Sequence, residues 1–388
     1  MPKQKIKDYI TQIRGVSYKP ADVVDAENGT PIIRANNIQD DGMIYDDLVF
    51  VTQQRIKDNQ LLKKGDIVIC TSSGSKNLVG KATTFNGYKT DMSFGAFCKG
   101  VRISDSSVNP DFIRLFFKSK TYREQISASS TGANINNIKA EHIDNLLINI
   151  PPVETQNIAV GELFTLIKSI YIKKQQLSAL NDLVKSRFIE MFGTLDLSIQ
   201  GETWLPLSDV STIFTGTTPS TKDSENWNGD IPWVTPAELS DDSFVVCDTE
   251  RKITQKGMKS KSLSLMPKNT VLLSTRAPIG KVAITGIEMC CNQGFKNFYC
   301  NNTVLNPIYL YTLLRNNSEY LNSLGTGTTF KEISKKNASN IKVPVADISL
   351  QNEFADFVKL IDKSKFIVQK QIDDLQEFLD SKMDEYFG

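Results

Sequence analysis

A chain of 388 residues, 40% of them hydrophobic, has the length for two or three domains with real cores. Its 45 Lys/Arg and 44 Asp/Glu leave a net charge of +1, which excludes a surface that is basic or acidic throughout. Any nucleic-acid contact must therefore use a local basic face, or share charge with partners.

At the N-terminus no apolar stretch follows Lys3, Lys5 and Lys7, so no signal peptide is expected, and no run reaches the ~20 apolar residues of a membrane span. Six cysteines (Cys70, Cys98, Cys247, Cys290, Cys291, Cys300) show no zinc-type pairing, and His142 is the only histidine. Reduced, mostly buried thiols in a cytoplasmic protein, with no metal site, is the expectation.

Residues 1–150 read as a mixed α/β globular domain with 20 Lys/Arg against 16 Asp/Glu. Strand-like runs at Pro31–Ile33, Asp66–Cys70 and Gly100–Ile103 are separated by turn-rich segments. A helix is expected from Phe112 to Gln125, with Asn109 or Asp111 near its cap. The polar segment 127–137 follows, and then a strand at 145–150 that stops at Pro151-Pro152.

Residues 151–193 form a long helix. Positions 163, 166, 170, 173, 177, 180, 184, 187 and 191 alternate steps of three and four and are mostly apolar, the seam of a left-handed coiled coil. A shift of 195 residues reproduces the seam at Val358, Ile361, Lys365, Val368, Ile372, Leu375, Leu379, Lys382 and Tyr386. The offset also carries Gln156-Asn157 onto Gln351-Asn352, Lys168-Ser169 onto Lys363-Ser364 and Phe192-Gly193 onto Phe387-Gly388. In all, 15 of the 63 positions from 131 to 193 recur, and such self-similarity marks an internal duplication.

Residues 194–345 repeat the first domain with looser spacing, and 346–388 repeat the helix. The echoes include Ile231-Pro232-Trp233-Val234, Lys268–Thr275 and Asn306-Pro307. The second junction, Val343-Pro344-Val345-Ala346, lacks the double proline, which leaves the entry of the second helix less defined. Each helix leaves its own domain and needs the other's seam, so the two should run antiparallel. The expected fold is α+β: two mixed globular domains separated by two long antiparallel helices, with a pseudo-two-fold internal repeat.

No catalytic signature is present. Gly74 to Ala82 imitates a phosphate loop with five intervening residues instead of four and no hydroxyl for Mg²⁺. No GxSxG elbow occurs, and one histidine gives His–nucleophile pairs little scope. Matching loops of the two domains are instead rich in side chains suited to base edges and phosphates. In domain 1 these are Arg14, Ser17, Tyr18, Lys19, Arg34, Asn36, Asn37, Thr71, Ser72, Ser73, Lys76 and Lys81. In domain 2 they are Thr217, Thr218, Thr235, Thr275, Arg276, Lys281, Asn292 and Gln293.

Over its full length the pattern resembles the specificity subunit of type I restriction-modification systems. The residues that carry the resemblance are 14–20, 30–38, the strand–Pro-Pro–helix junction 148–156, Gly229–Thr235 and Ser274–Gly280. The resemblance implies two target recognition domains that each read half of a split DNA site, and helices that set the gap and dock two modification (methyltransferase) subunits. Restriction subunits can join such a complex. S-adenosylmethionine would belong to the modification subunits, so this chain would be non-catalytic and hold no cofactor. Gln156, Lys168 and Gln176, with their counterparts Gln351, Lys363 and Gln371, are assigned to the docking surface. Two other readings are a coiled-coil scaffold without sequence preference and a stand-alone methyltransferase or nuclease.

Overall fold

The computed structural model describes residues 3–39, 42–74, 78–129, 137–199, 201–240, 242–276, 278–327 and 331–388. They divide into two compact units, Met1–Lys174 with Lys370–Gly388, and Gln175–Gln369. Each unit therefore holds one globular domain and half of each long helix.

In the first unit a four-stranded antiparallel sheet runs in the order Ile10–Arg14, Cys98–Ile103, Ile67–Cys70, Ala82–Thr84. Alternation along its third strand explains the unbroken apolar run there. Ile67 and Ile69 enter one core with Phe112, Phe116 and the long-helix residues Leu163 and Phe387. Val68 and Cys70 enter another, with Ile33 and Phe94. A second sheet orders Val49–Val51, Thr30–Ile33 and Ser93–Phe94, the last pair parallel. A short antiparallel pair joins Gln4–Lys5 to Leu147–Ile148.

The second unit repeats this plan. Its main sheet orders Ser211–Thr215, Phe295–Cys300, Thr270–Ser274 and Val282–Thr285, and adds Val245–Val246 at the edge. Lys252–Ile253, Trp227–Val234 and Cys290–Cys291 form the three-stranded sheet, again with the last pair parallel. Leu205–Pro206 pairs with Lys342–Val343. The duplication inferred from side chains is thus a duplication of strand order.

Asn109 caps the helix Pro110–Phe116, and Asn306 caps Pro307–Asn316. The single helix expected over Phe112–Gln125 is instead two, Pro110–Phe116 and Lys120–Ser129. Ser119 makes the break: its hydroxyl donates to the Phe116 carbonyl at 2.7 Å and accepts the Tyr122 N–H at 3.1 Å, starting a new first turn.

The long helices are Val153–Phe192 and Ile348–Phe387, of 40 residues each, about 60 Å at 1.5 Å per residue. Every seam position is buried or half-buried, between largely exposed neighbours. In the first unit Glu162 accepts from Tyr386 at 2.9 Å and pairs with Lys382 at 3.4 Å. In the second, Arg187 pairs with Glu353 at 3.0 Å, and Lys365 reaches back to Asn181. In the second unit partner numbers fall as those of the first helix rise, so its two segments are antiparallel. The repeated Phe-Gly has a structural cause. Phe387 packs on Phe112 with ring centroids 4.8 Å apart, and Phe192 on Tyr309 at 4.9 Å. Gly193 then ends its helix at φ +79°, a conformation that favours glycine.

Gln156 and Gln351 are corrected here. Both are buried and bind their own unit, so neither can meet a partner. Gln156 accepts the Asn109 N–H at 2.8 Å and donates to the Pro151 carbonyl at 2.8 Å. Gln351 accepts the Asn306 N–H at 2.8 Å and donates to Val304 at 3.0 Å and Ala346 at 2.8 Å. The neighbouring Asn157 and Asn352 accept from the Asn109 and Asn306 amides. Each Gln-Asn pair therefore ties the first turn of a long helix to the cap of its own domain's helix. Entry of the second helix is fixed as firmly as that of the first, with one proline fewer. Lys168, Lys363, Gln176 and Gln371 are exposed.

All six cysteines are free, and only Cys247 is exposed. Burial raises the thiols of Cys290 to about 11 and of Cys291 and Cys300 to about 12, which keeps them protonated and unreactive at neutral pH. Among the described residues no cluster suited to a metal ion occurs, and no helix is long and apolar enough to cross a membrane.

Candidate nucleic-acid interface

In each domain the loops chosen from sequence converge where the two larger sheets meet. Val16 donates to the Phe94 carbonyl at 2.8 Å, which brings residues 15–19 onto 94–97. A Cβ on Gly15 would lie 2.2 Å from the Gly95 oxygen, and one on Gly216 2.0 Å from the Cys291 oxygen. Only glycine allows either approach. Thr71 donates its N–H to Phe97 at 2.9 Å, as Thr275 does to Gly294 at 2.7 Å. Ser72 bridges Asn137, and Arg276 bridges Glu332. The meeting point thus has the same backbone in both domains.

Its side chains fall into two kinds. Thr71 and Thr275 are buried, and each hydroxyl donates to the same carbonyl as its own N–H, so both are scaffold. Asn37 is likewise corrected. It is fully buried, accepts the Arg34 N–H at 2.9 Å and donates to the Asp46 carbonyl at 2.9 Å. Thr235 serves the corresponding turn, with its N–H and hydroxyl on Glu238. Lys281 donates to the Leu239 carbonyl, which ties its ammonium to the fold. Lys81 is half-buried. Lys76 lies outside the described residues.

The remaining candidates differ between the domains. Domain 1 exposes Arg14, Ser17, Lys19 and Asn36, with Tyr18, Ser72 and Ser73 half-buried. Its Arg34 donates to both the carbonyl and the carboxylate of Asp47, which orients the guanidinium. In domain 2, Thr217 gives its carbonyl to the Trp233 indole, and Thr218 donates to Gln293 at 2.7 Å. Asn292 accepts the Gly294 N–H at 2.8 Å. Arg276 is exposed and pairs with Glu332 at 2.9 Å. Outward-facing hydroxyls, amides and guanidinium groups on a rigid frame suit base edges and phosphates.

Three further residues belong to this surface. Phe97, 69% exposed, stands on the loop whose carbonyl holds Thr71 and Ser72. Glu332 joins Arg276 through its backbone bridge. The guanidinium carbon of Arg251 lies over Trp227, 3.6 Å from the ring centroid, and 5.5 Å from that of Trp233. Cation–π stacking of this kind fixes the planar group with its N–H edge free. Glu332 had a sequence signal, since the constant offset of 195 lays it on Asn137. Phe97 and Arg251 had none, because strand pairing between distant segments brings them in.

The family described as "type I restriction modification DNA specificity domain" matches residues 4–182 and 202–377. The chain is 36% identical over 185 residues to the type I restriction enzyme MjaIX specificity subunit of Methanocaldococcus jannaschii; the match covers 46% of this chain and 43% of that one. It is 41% identical over 177 residues to the StySPI specificity subunit of Salmonella potsdam, covering 45% and 38%. The chain thus spans less than half the length of either relative. A crystal structure described as the type I restriction-modification S subunit from M. genitalium shares the fold, with a TM-score of 0.56 at 14% identity over 100% of this chain and 96% of that one. Two family matches, one on each copy of the duplicated domain, establish that the chain belongs to the type I restriction modification DNA specificity domain family.

Proposed function

We propose that this chain is the sequence-reading subunit of a type I restriction-modification complex. Each domain reads one half of a split site in double-stranded DNA. The long helices set the gap and dock two modification subunits, which restriction subunits can join. The observation that carries the reading is the duplicated meeting point: one backbone frame bears Ser72 and Asn137 in one copy, Arg276 and Glu332 in the other. Scaffold threonines are kept at equivalent positions while the outward side chains differ, as expected if the copies read different bases. The chain itself supplies no catalytic group and no seat for S-adenosylmethionine in this reading; methyl transfer belongs to its partners.

A repeated apolar surface on the long helices supports two like partners. The first unit exposes Tyr171, Ile172 and Phe378, and the second exposes Phe366 (72%), Ile367 and Leu183 (45%). The offset of 195 maps one trio onto the other. Exposed patches of this kind mark docking sites, and they displace the buried glutamines as its anchors. Phe366→Asp with Ile367→Asp is expected to remove one of two bound modification subunits, read as a mass loss in native mass spectrometry. Retention of two would count against the patch.

The function itself is tested by selecting duplexes from a random pool with the chain and its modification subunits. A motif of two short halves around a fixed gap is expected, and Arg276→Ala should blur one half only. Uniform weakening over all sequences would mark Arg276 as a phosphate contact. Selection of no motif would favour a scaffold, and methyl transfer or cleavage by the chain alone would favour a stand-alone enzyme.

A further inference from the structure

Arg14 and Lys99 stand directly opposite each other on neighbouring antiparallel strands of domain 1. Residues so placed share a face with Cβ atoms about 5 Å apart, and like charges there repel. Among the described residues neither side chain makes an ion pair or hydrogen bond. Burial draws the Lys99 ammonium below its ordinary pKa and Arg14 adds to the fall. Asp144, which Gln12 holds at 2.6 Å, opposes the fall more strongly than Arg14 adds to it, without forming an ion pair.

Domain 2 resolves the same position differently. Lys296 occupies the place of Lys99, opposite Thr215 where domain 1 has Arg14. Glu332 takes Lys296 at 3.3 Å and Arg276 at 2.9 Å. The residue equivalent to Glu332 is Asn137, which cannot neutralise Lys99. One copy of the frame thus holds its cations in ion pairs with Glu332, and the other leaves two cations facing each other with Asp144 acting on Lys99 but in ion-pair contact with neither.

We propose that Arg14 and Lys99 together seat a phosphate of the DNA backbone, and that Glu332 closes the equivalent seat in domain 2. The seat rests on the reading of the chain as a DNA-binding subunit and refines it. It positions the duplex on domain 1 without reading sequence, whereas domain 2 spends its carboxylate on orienting Arg276. The two domains then depend unequally on salt, since each phosphate contact adds about 0.9 to the slope of log K against log salt.

The test exchanges the counterion. With the full chain, its modification subunits and a duplex carrying the selected site, affinity is measured across a salt series. Asn137→Glu, which copies the domain 2 arrangement into domain 1, is expected to lower the slope by about one and to weaken every duplex alike. Lys99→Gln should match it. Glu332→Asn, of opposite sign, should raise the slope by at least about one. An unchanged slope in Asn137→Glu and Lys99→Gln would overturn the seat while leaving half-site reading intact. So would loss of base preference in one half-site on Arg14→Gln, which would make Arg14 a base reader. A wild-type assembly without any sequence preference would instead overturn the proposed function, and the seat with it.

Discussion

Gln351→Leu is expected to destabilise the second unit by about 2–4 kcal/mol, because it takes the partner from three part-buried polar groups at once. The Asn306 N–H loses its acceptor, and the Val304 and Ala346 carbonyls lose their donor. Leucine fills the volume without replacing any of these bonds. The chain offers a clean reporter. Its three tryptophans, Trp204, Trp227 and Trp233, all lie in the second unit. In urea, with a slope of roughly 2–3 kcal/mol per molar for a unit of this size, the tryptophan midpoint should fall by about 1 M. Gln156→Leu should leave that midpoint in place and shift only the part of the circular dichroism signal that belongs to the first unit. A Gln351→Leu protein with an unmoved tryptophan transition would contradict the role given to the Gln-Asn pair.

That pair also shows where sequence reading stops. The seam was legible because a coiled coil is a local code: steps of three and four place Leu163, Ile170, Val358 and Val368 on one face whatever the rest of the chain does. Gln156 and Gln351 recur in the same frame, and a polar residue in the first turn of an amphipathic helix reads as surface. Their partners, Asn109 and Asn306, lie 47 and 45 residues away. No local pattern announces such a bond. The break at Ser119 escaped for a related reason, since apolar residues continue on both sides and only a hydroxyl marks the boundary.

At the candidate interface, the convergence of the loops is legible in the sequence for one reason, and the state of each side chain is illegible for another. Turn-rich, hydroxyl-rich segments do converge, because strand order puts residues 15–19, 71–74 and 94–97 at neighbouring ends. Within them, composition cannot separate the buried Thr71, whose hydroxyl is bound to the Phe97 carbonyl, from the half-buried Ser72. Comparing the copies does separate them. Threonine stands at 71 and again at 275, where the frame needs it, whereas Ser72 and Asn137 give way to Arg276 and Glu332. In a duplicated chain, identity between copies points to scaffold and difference points to recognition.

In the proposed function, two domains read DNA and the long helices set the gap between the half-sites. The direct test inserts seven residues into each helix, at the seam positions Leu177 and Val368. One heptad keeps both seams in register and adds about 10 Å of helix at 1.5 Å per residue, the length of about three base pairs at 3.4 Å each. Binding-site selection with this variant and its modification subunits is expected to return both half-site sequences unchanged, around a different gap. The same half-sites around the wild-type gap, from a variant that still folds and assembles, would contradict it.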